Sequence, residues 1–358
     1  MVLALTCSAR LAHAAPPAAS EKPLPNGTLP AGTASFEPGP PDMAGLEMHP
    51  DCVVDAGCCA SGCGGGKVIG GAGLYLMQPF FTSNPGISFF RQGTGPGQRD
   101  DISQHMGVAP LVWLGYMLDG GLGARARWWY FRQGTDQTYS FGPPNGGTLT
   151  VLSAAPLGSA IIQNNPVAFN ITSKLQLQVA DLEAVQEVAF HNWNFLFSGG
   201  LGYADITQSY NAFAFNFERL PLLSGRSFVG VGPELALEAR RQIMSSGLNL
   251  YGSARTRVLF GSAKQLVSGG DELHGSQQTH QDEVLAVEEL EVGFEYGVTF
   301  GRSRWFGQLA MVGQEWLGAG NATGTARSGP PTTIPNFSTE DHSNLGFFGV
   351  SFRLGVNF

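Results

Sequence analysis

Charge is scarce in this chain: 13% of its 358 residues are Asp, Glu, Lys or Arg, about half the roughly 25% of a typical soluble domain. No run of about 18 apolar residues makes up the difference, which excludes a membrane-spanning helix. No basic cluster is present to hold phosphates and the net charge is −8, so no nucleic acid is expected as a partner. Cysteine does not occur after Cys63, which removes thiol nucleophiles from everything that follows. There is no G-x-S-x-G elbow and no H-E-x-x-H helix. Despite 50 glycines, no Gly-rich stretch opens a helix that would cradle a phosphate. Low charge without a long apolar run suits a membrane barrel, where lipid-facing and lumen-facing residues alternate and each strand averages to neutral.

What is present is alternation. From Asn344 to Phe358 the chain reads NLGFFGVSFRLGVNF. Phe348, Val350, Phe352, Leu354, Val356 and Phe358 share one face at period two, and Gly349, Ser351, Arg353, Gly355 and Asn357 share the other. Such a strand suits lipid outside and a polar lumen inside, and its apolar face is the expected membrane-assembly signal. A soluble sandwich alternates in the same way, so loop lengths must separate the two.

Ten strand-like segments are read, at about 68–81, 104–118, 122–133, 174–190, 193–206, 226–240, 247–262, 284–300, 304–318 and 344–358. The connections at 119–121, 191–192, 241–246 and 301–303 are short, whereas 82–103, 134–173, 207–225, 263–283 and 319–343 are long. Short periplasmic turns opposite long extracellular loops are the outer-membrane pattern. The expectation is therefore an all-β, transmembrane antiparallel up-and-down β-barrel of 10 strands, within a range of 8–12. Segments 148–154 and 160–170 are the candidates for a further pair and are read as loop. Ten aromatics near strand ends, Trp113, Tyr116, Trp128, Trp129, Tyr130, Trp193, Tyr203, Tyr296, Trp305 and Trp316, are expected in two interfacial girdles.

The front of the chain differs. Residues 1–14 read as a truncated secretory signal, with a short apolar stretch and the small-x-small site Ala12-His13-Ala14. Residues 15–66 form a Pro/Gly/Cys-rich flexible periplasmic segment, and 67–358 the barrel. Cys52, Cys58, Cys59 and Cys63 are disulfide candidates with three possible pairings. Their spacing is not that of a zinc site; free thiols or thiol attachment remain the other readings.

Charges within strands should face inward, since lipid exposure would cost about 2–4 kcal/mol each at mid-bilayer. The basic set is Arg125, Arg127, Arg255, Arg257 and Arg353, with Arg240 at a strand end. The acidic set is Glu183, Glu234, Glu238, Glu291 and Glu295, together with Asp181, Glu187, Glu289 and Glu315. Buried charges need partners, so an Arg–carboxylate lattice across the lumen is expected. It serves either as structural filling or as a constriction selecting solutes by sign. The strand at 174–190 changes apolar parity near Ala180, which suggests a bulge or a wrong register. Asp271, Glu272, His274 and His280 share one loop, and Asp100 and Asp101 lie near His105; both groups read as solvated loops rather than metal or acid/base sites. No catalytic residue, metal or cofactor is expected, and the chain is read as not an enzyme.

Several segments together carry a family resemblance: GGAGLYLMQPFFTSNPGISF, LQVADLEAVQ, LFSGGLGYADITQSYNA, GLNLYGSARTRVLFGSAKQ and the Phe-terminated strand. The set resembles the Legionella-type pore-forming major outer-membrane-protein family, planctomycete-like branch, over about residues 68–358. The resemblance implies a bacterial outer-membrane protein, nominally pore-forming, with no catalytic residues to carry across. The expected partners are outer-membrane lipid, the barrel-assembly machinery through the C-terminal strand, and small solutes or ions. The leading functional expectation is a passive pore with a charged lumen. The alternatives are a plugged barrel acting through its extracellular loops and, more remotely, an outer-membrane hydrolase.

Overall fold

The computed structural model describes residues 66–91, 98–142, 147–154, 161–215, 219–243, 247–269, 276–324 and 343–358. The described residues are all-β, and period-two alternation sets which face of each strand turns inward. Ten strands close an antiparallel barrel. They are β1 (Lys67–Phe81), β4 (Gly107–Met117), β5 (Leu122–Ser140), β8 (Ala168–Phe190) and β9 (Trp193–Phe215). The circuit continues through β10 (Arg219–Ile243), β11 (Leu248–Gly269), β12 (Ser276–Phe300), β13 (Ser303–Leu317) and β14 (Leu345–Asn357), which pairs back onto β1. The four other strands, β2 (Pro85–Arg91), β3 (Gln98–Asp101), β6 (Leu149–Ser153) and β7 (Ile162–Asn164), form a separate sheet ordered β3-β2-β6-β7. The segment near 148–154 thus holds β6, and that near 160–170 holds β7 and the start of barrel strand β8, so the two add no further pair to the barrel. Turns at one end are tight, and the first needs Gly121 at φ 77°, a left-handed conformation that side chains disfavour.

The register fixes the barrel's dimensions. Starting at Val68, successive partners are Tyr116, Ala124, Ala184, Gly199 and Leu235. They continue through Thr256, Glu288, Glu315 and Gly346 to Phe80, twelve residues along β1 from the start. Ten strands with that stagger give a tilt of about 40° and a backbone radius of about 10 Å. Each residue then climbs about 2.5 Å along the axis.

Outward side chains over the turn-proximal part are apolar and exposed, including Leu114, Leu182, Leu201, Leu235, Leu290, Leu309 and Leu354. This belt gives way to polar outward residues at Gln78, Arg132, Gln178, Asp205, Glu288 and Glu315. With the stagger included, the belt is about 25 Å tall, the height of an outer-membrane apolar band. Several strands continue well past it: β9 runs from Asp205 to Phe215, about 25 Å further. The long connections expected at 207–225 and 263–283 are therefore mostly strand, with β9 and β10 paired up to Phe215↔Arg219. Outward Thr207, Ser209 and Asn211 gave that stretch the composition of a loop.

The interior is layered. Near the short turns lies a small apolar cluster of Ile69, Met117, Val185 and Leu196. Above the charged residues is a large apolar cluster that includes Trp129, Phe131, Leu177, Phe228, Trp316 and Phe347. Higher still, Ile87, Ile102 and Val151 around the second sheet pack on inward Phe169, Ile171, Tyr210 and Leu222. This layering corrects the bulge expected at Ala180. β8 pairs without a register break on both sides; its inward face simply changes from Leu175, Leu177 and Val179 to Asp181 and Glu183. Layering also corrects the girdles. Trp129 and Trp316 are fully buried in the lumen and Trp113 lines an internal cavity, whereas Tyr116, Tyr203, Tyr296 and Trp305 are exposed outside. The signal segment, most of the 15–66 segment and Cys52, Cys58, Cys59 and Cys63 lie outside the described residues.

Candidate functional site: the lumen and its plug

The ten charged residues read as lumen-lining all face inward and join one network. Arg125 donates from Nε to Glu183 at 2.7 Å and from Nη1 to Glu238 at 2.6 Å. Arg127 reaches Glu289 at 2.7 Å and Asp181 at 3.4 Å, and also meets the Tyr75 hydroxyl. Arg255 is bonded to both Glu183 and Glu234. Arg257 donates to Glu234 at 3.0 Å and to Asp181 at 2.8 Å. Arg353 donates to Glu291 and, at 3.1 and 2.9 Å, to the Tyr251 and Tyr75 hydroxyls. Arg240 joins Glu238 at 2.9 Å and Glu295 at 2.8 Å.

Two features define what this arrangement does. Arg125 on β5 meets Glu238 on β10, and Arg127 on β5 meets Glu289 on β12, so the pairs cross the lumen rather than line its wall. The network is also balanced. With Lys67, Arg304 and Glu187 at the turn-side mouth, eight cationic groups meet eight carboxylates. Paired and desolvated, the network as a whole carries no net charge.

The opposite mouth is filled by the chain itself. After β13 the segment Gly318–Thr323 turns inward, and Ala319, Asn321, Ala322 and Thr323 are buried. Arg226 Nε donates to the Ala319 carbonyl at 3.0 Å, Gln208 Nε2 to that of Gly320 at 3.2 Å, and Ser224 Oγ to that of Ala322 at 2.6 Å. Asn321 Nδ2 donates to Asn84 Oδ1 at 2.9 Å and to the Ser83 carbonyl at 3.0 Å, tying this plug to the segment leading into β2. Ala319 belongs to the large apolar cluster and Ala322 to the upper one, so the plug stitches the two layers.

Not every expected residue is inside. Glu315, expected inward, points outward, is exposed, and accepts from Asn344 Nδ2 at 3.2 Å. Its parity on β13 is opposite to that of buried Gln314 and Trp316. Glu187 sits at the turn-side mouth, 2.5 Å from Lys67. Asp100 and Asp101 lie exposed on β3, with Arg99 Nε donating to Asp101 at 2.6 Å. Burial of Tyr139, and then the Asp100 carboxylate beside it, push that phenol above its usual range. No cluster of three metal-holding side chains occurs among the described residues; Asp271, Glu272 and His274 lie outside them. Sequence reasoning missed Tyr75, Tyr251, Gln308 and Gln314, all buried members of the network. Tyr75 carries a usable signal, being a polar aromatic at lumen parity in β1. The plug carries little, because apart from the Asn321 side chain it is held through its own backbone groups.

A family model described as the Legionella pneumophila major outer membrane protein precursor matches residues 68–358. The chain belongs to that family and is an outer-membrane protein. No curated protein matches it. Among solved structures, the Escherichia coli outer membrane protease OmpT aligns at 9% identity with a TM-score of 0.44, covering 82% of this chain and 96% of that one. A Pseudomonas aeruginosa FadL homologue aligns at 10% identity and a TM-score of 0.24, covering 82% and 90%. The Pseudomonas putida toluene transporter TodX gives 9% identity and 0.23, covering 83% and 90%.

Proposed function

We propose that the protein works as a closed outer-membrane barrel whose active surface is the extracellular part, rather than as a passive pore. The observation that supports this most is the layered filling of the lumen. Ion pairs bridge opposite walls, a buried aromatic and aliphatic layer lies above them, and the inward plug and second sheet close the far mouth. An apolar layer of this kind is a barrier in itself, because a hydrated ion crossing it must shed water without compensation. The passive-pore reading, which the sequence resemblance implies, requires several layers to part together. In the closed reading the lattice is structural, the lipid belt anchors the barrel, the partners are lipid and whatever meets the projecting strands, and no catalytic step is assigned.

The test is single-channel recording of the detergent-folded protein in a planar bilayer. The expected record is silent, and stays silent with Arg255→Ala and Arg257→Ala together. Discrete steps from demonstrably folded protein, with ion selectivity that shifts in the double variant, would return the reading to a charged pore.

A further inference from the structure

One enclosed space in the lattice has walls that its own carboxylates do not neutralise. The cavity holds about 40 Å³ and is lined by five guanidiniums, those of Arg125, Arg127, Arg240, Arg255 and Arg353, against two carboxylates, Glu238 and Glu289. Asp181, Glu183, Glu234, Glu291 and Glu295 satisfy the same arginines from elsewhere and do not line it. Three donors on the lining residues find no hydrogen-bond partner among the described residues: Arg125 Nη2, Arg255 Nε and Arg353 Nε. The carboxylate paired with that Arg255 nitrogen, on Glu289, stands 3.9 Å away. All three arginines are more than nine-tenths buried, at 8%, 5% and 9% exposure. Charged donors left unmet in a dry interior are costly, so groups of this kind are normally matched.

We infer that this cavity is a binding site for one small monovalent anion of chloride size. Three arguments set the ligand class. The local excess is cationic, which selects an anion. In size, the cavity takes about three water-sized species at most, which excludes a hydrated oxyanion. The unmet donors come from three separate strands, β5, β11 and β14, so the ligand completes the lattice rather than decorating one residue.

Access comes from the turn side. A second cavity of about 70 Å³, lined by Lys67, Glu187 and Asn357 near that mouth, shares Trp113, Arg125, Arg240 and Phe306 with the first. The two spaces share a wall, so exchange with the turn-side mouth passes the small cluster of Ile69, Met117 and Leu196 and not the large apolar layer. Failure of this inference leaves the closed-lumen reading intact, since water would fill the same space.

The experiment uses the complete, detergent-folded protein crystallised in bromide, with anomalous data collected at the bromine edge. One anomalous peak between Arg125, Arg255 and Arg353 is expected. Ordered density for those side chains with no anomalous signal between them would overturn the site in favour of water. In solution, chloride replaces gluconate at constant ionic strength during urea unfolding. The folding equilibrium constant should rise about tenfold per tenfold chloride above the dissociation constant, bromide should match chloride, and sulfate should give only its general salting effect without that slope. A midpoint indifferent to chloride overturns the proposal. Ser253 lines the cavity and is buried. Ser253→Asp supplies a tethered carboxylate between the register neighbours Glu238 and Glu291; its folded form should be less stable and show no chloride dependence. Chloride dependence that persists in that folded variant locates the effect elsewhere and refutes the site.

Discussion

Deleting the carboxylate of Glu183 measures directly whether the lumen is dry. Glu183 is 1% exposed and accepts from Arg125 Nε at 2.7 Å and from Arg255 Nη1. Glu183→Ala leaves two guanidiniums facing one another without the anion they share. Removing one partner of a buried charge network costs about 3–5 kcal/mol, a factor of about 10² to 10⁴ in the folding equilibrium. With a urea slope of about 1–3 kcal/mol per molar, the midpoint should fall by about 1 M or more. Glu315→Ala is the control, because it deletes the same group from an exposed, outward position one strand away from the lattice residue Glu289. Its effect should stay within about 0.5 kcal/mol. Folding into lipid vesicles across a urea series, read by the heat-modifiable shift in electrophoretic mobility, reports both. Equal midpoints for the two variants would mean that Glu183 is hydrated. The lumen would then hold a continuous water path, and the closed reading would fail.

The other predictions probe the belt, the apolar layer and the plug. Leu235 is 65% exposed within the lipid belt, so Leu235→Arg should cost about 2–4 kcal/mol of membrane folding. Thr207→Arg, outward but above the belt, should cost almost nothing; similar costs for both would misplace the membrane boundary. Trp129 is fully buried and meets Tyr75 edge-on at 5.8 Å. Trp129→Ala should lose about 3–5 kcal/mol while the bilayer stays silent, because the ion-pair layer below persists; conductance would show that the apolar layer alone seals the barrel. Gly320 has φ 68°, and an added Cβ would run into the Arg226 guanidinium. Gly320→Val should therefore expel the plug, giving limited-proteolysis cleavage within 318–324 while the barrel stays heat-modifiable. Undiminished protease resistance would argue against the inward seat of that segment.

The outside of this barrel was legible and the inside only in part, for a physical reason. Lipid accepts one chemistry, so Phe348, Phe352 and Leu354 announce their direction by composition alone. The lumen accepts two. Where it is ionic, as at Arg125 and Glu183, parity with an apolar outer face is enough to find it. Where it is apolar, as at Leu175, Leu177 and Val179, inner and outer faces look alike, and the change of lining was read as a bulge. The projecting strand ends failed in the converse way. There the outer face is polar, the inner face holds Tyr210 and Ala212, and no lipid contrast marks the strand. Partner identities within the lattice were beyond sequence because most pairs cross the barrel, and only Arg125↔Glu183, Arg127↔Asp181, Glu234↔Arg257 and Arg255↔Glu289 are register neighbours.

Those register pairs suggest why a ten-stranded barrel keeps so many buried charges. A strand that slips by one residue turns its apolar face inward and is rejected by lipid and lumen alike. A slip of two residues preserves parity, and the belt scarcely resists it: Leu182 and Ala184 are both tolerable to lipid. The lattice does resist it. Sliding β8 by two against β5 would place Arg127 opposite Glu183 and Arg125 opposite Val185, leaving one guanidinium unpaired in a dry interior. The apolar layer is almost blind to the same error, since Leu175, Leu177 and Val179 are near-equivalent fillers. Buried ion pairs add little net stability over apolar packing, and fixing register is their best-attested use. On this argument the apolar layer holds the barrel together and seals it, and the lattice decides which barrel forms. Replacing Arg125 and Glu183 together by Leu should then cost far less than Glu183→Ala alone. Its signature should be heterogeneous strand pairing, seen as multiple folded bands on unheated gels, and a single sharp band from that double variant would refute the register role.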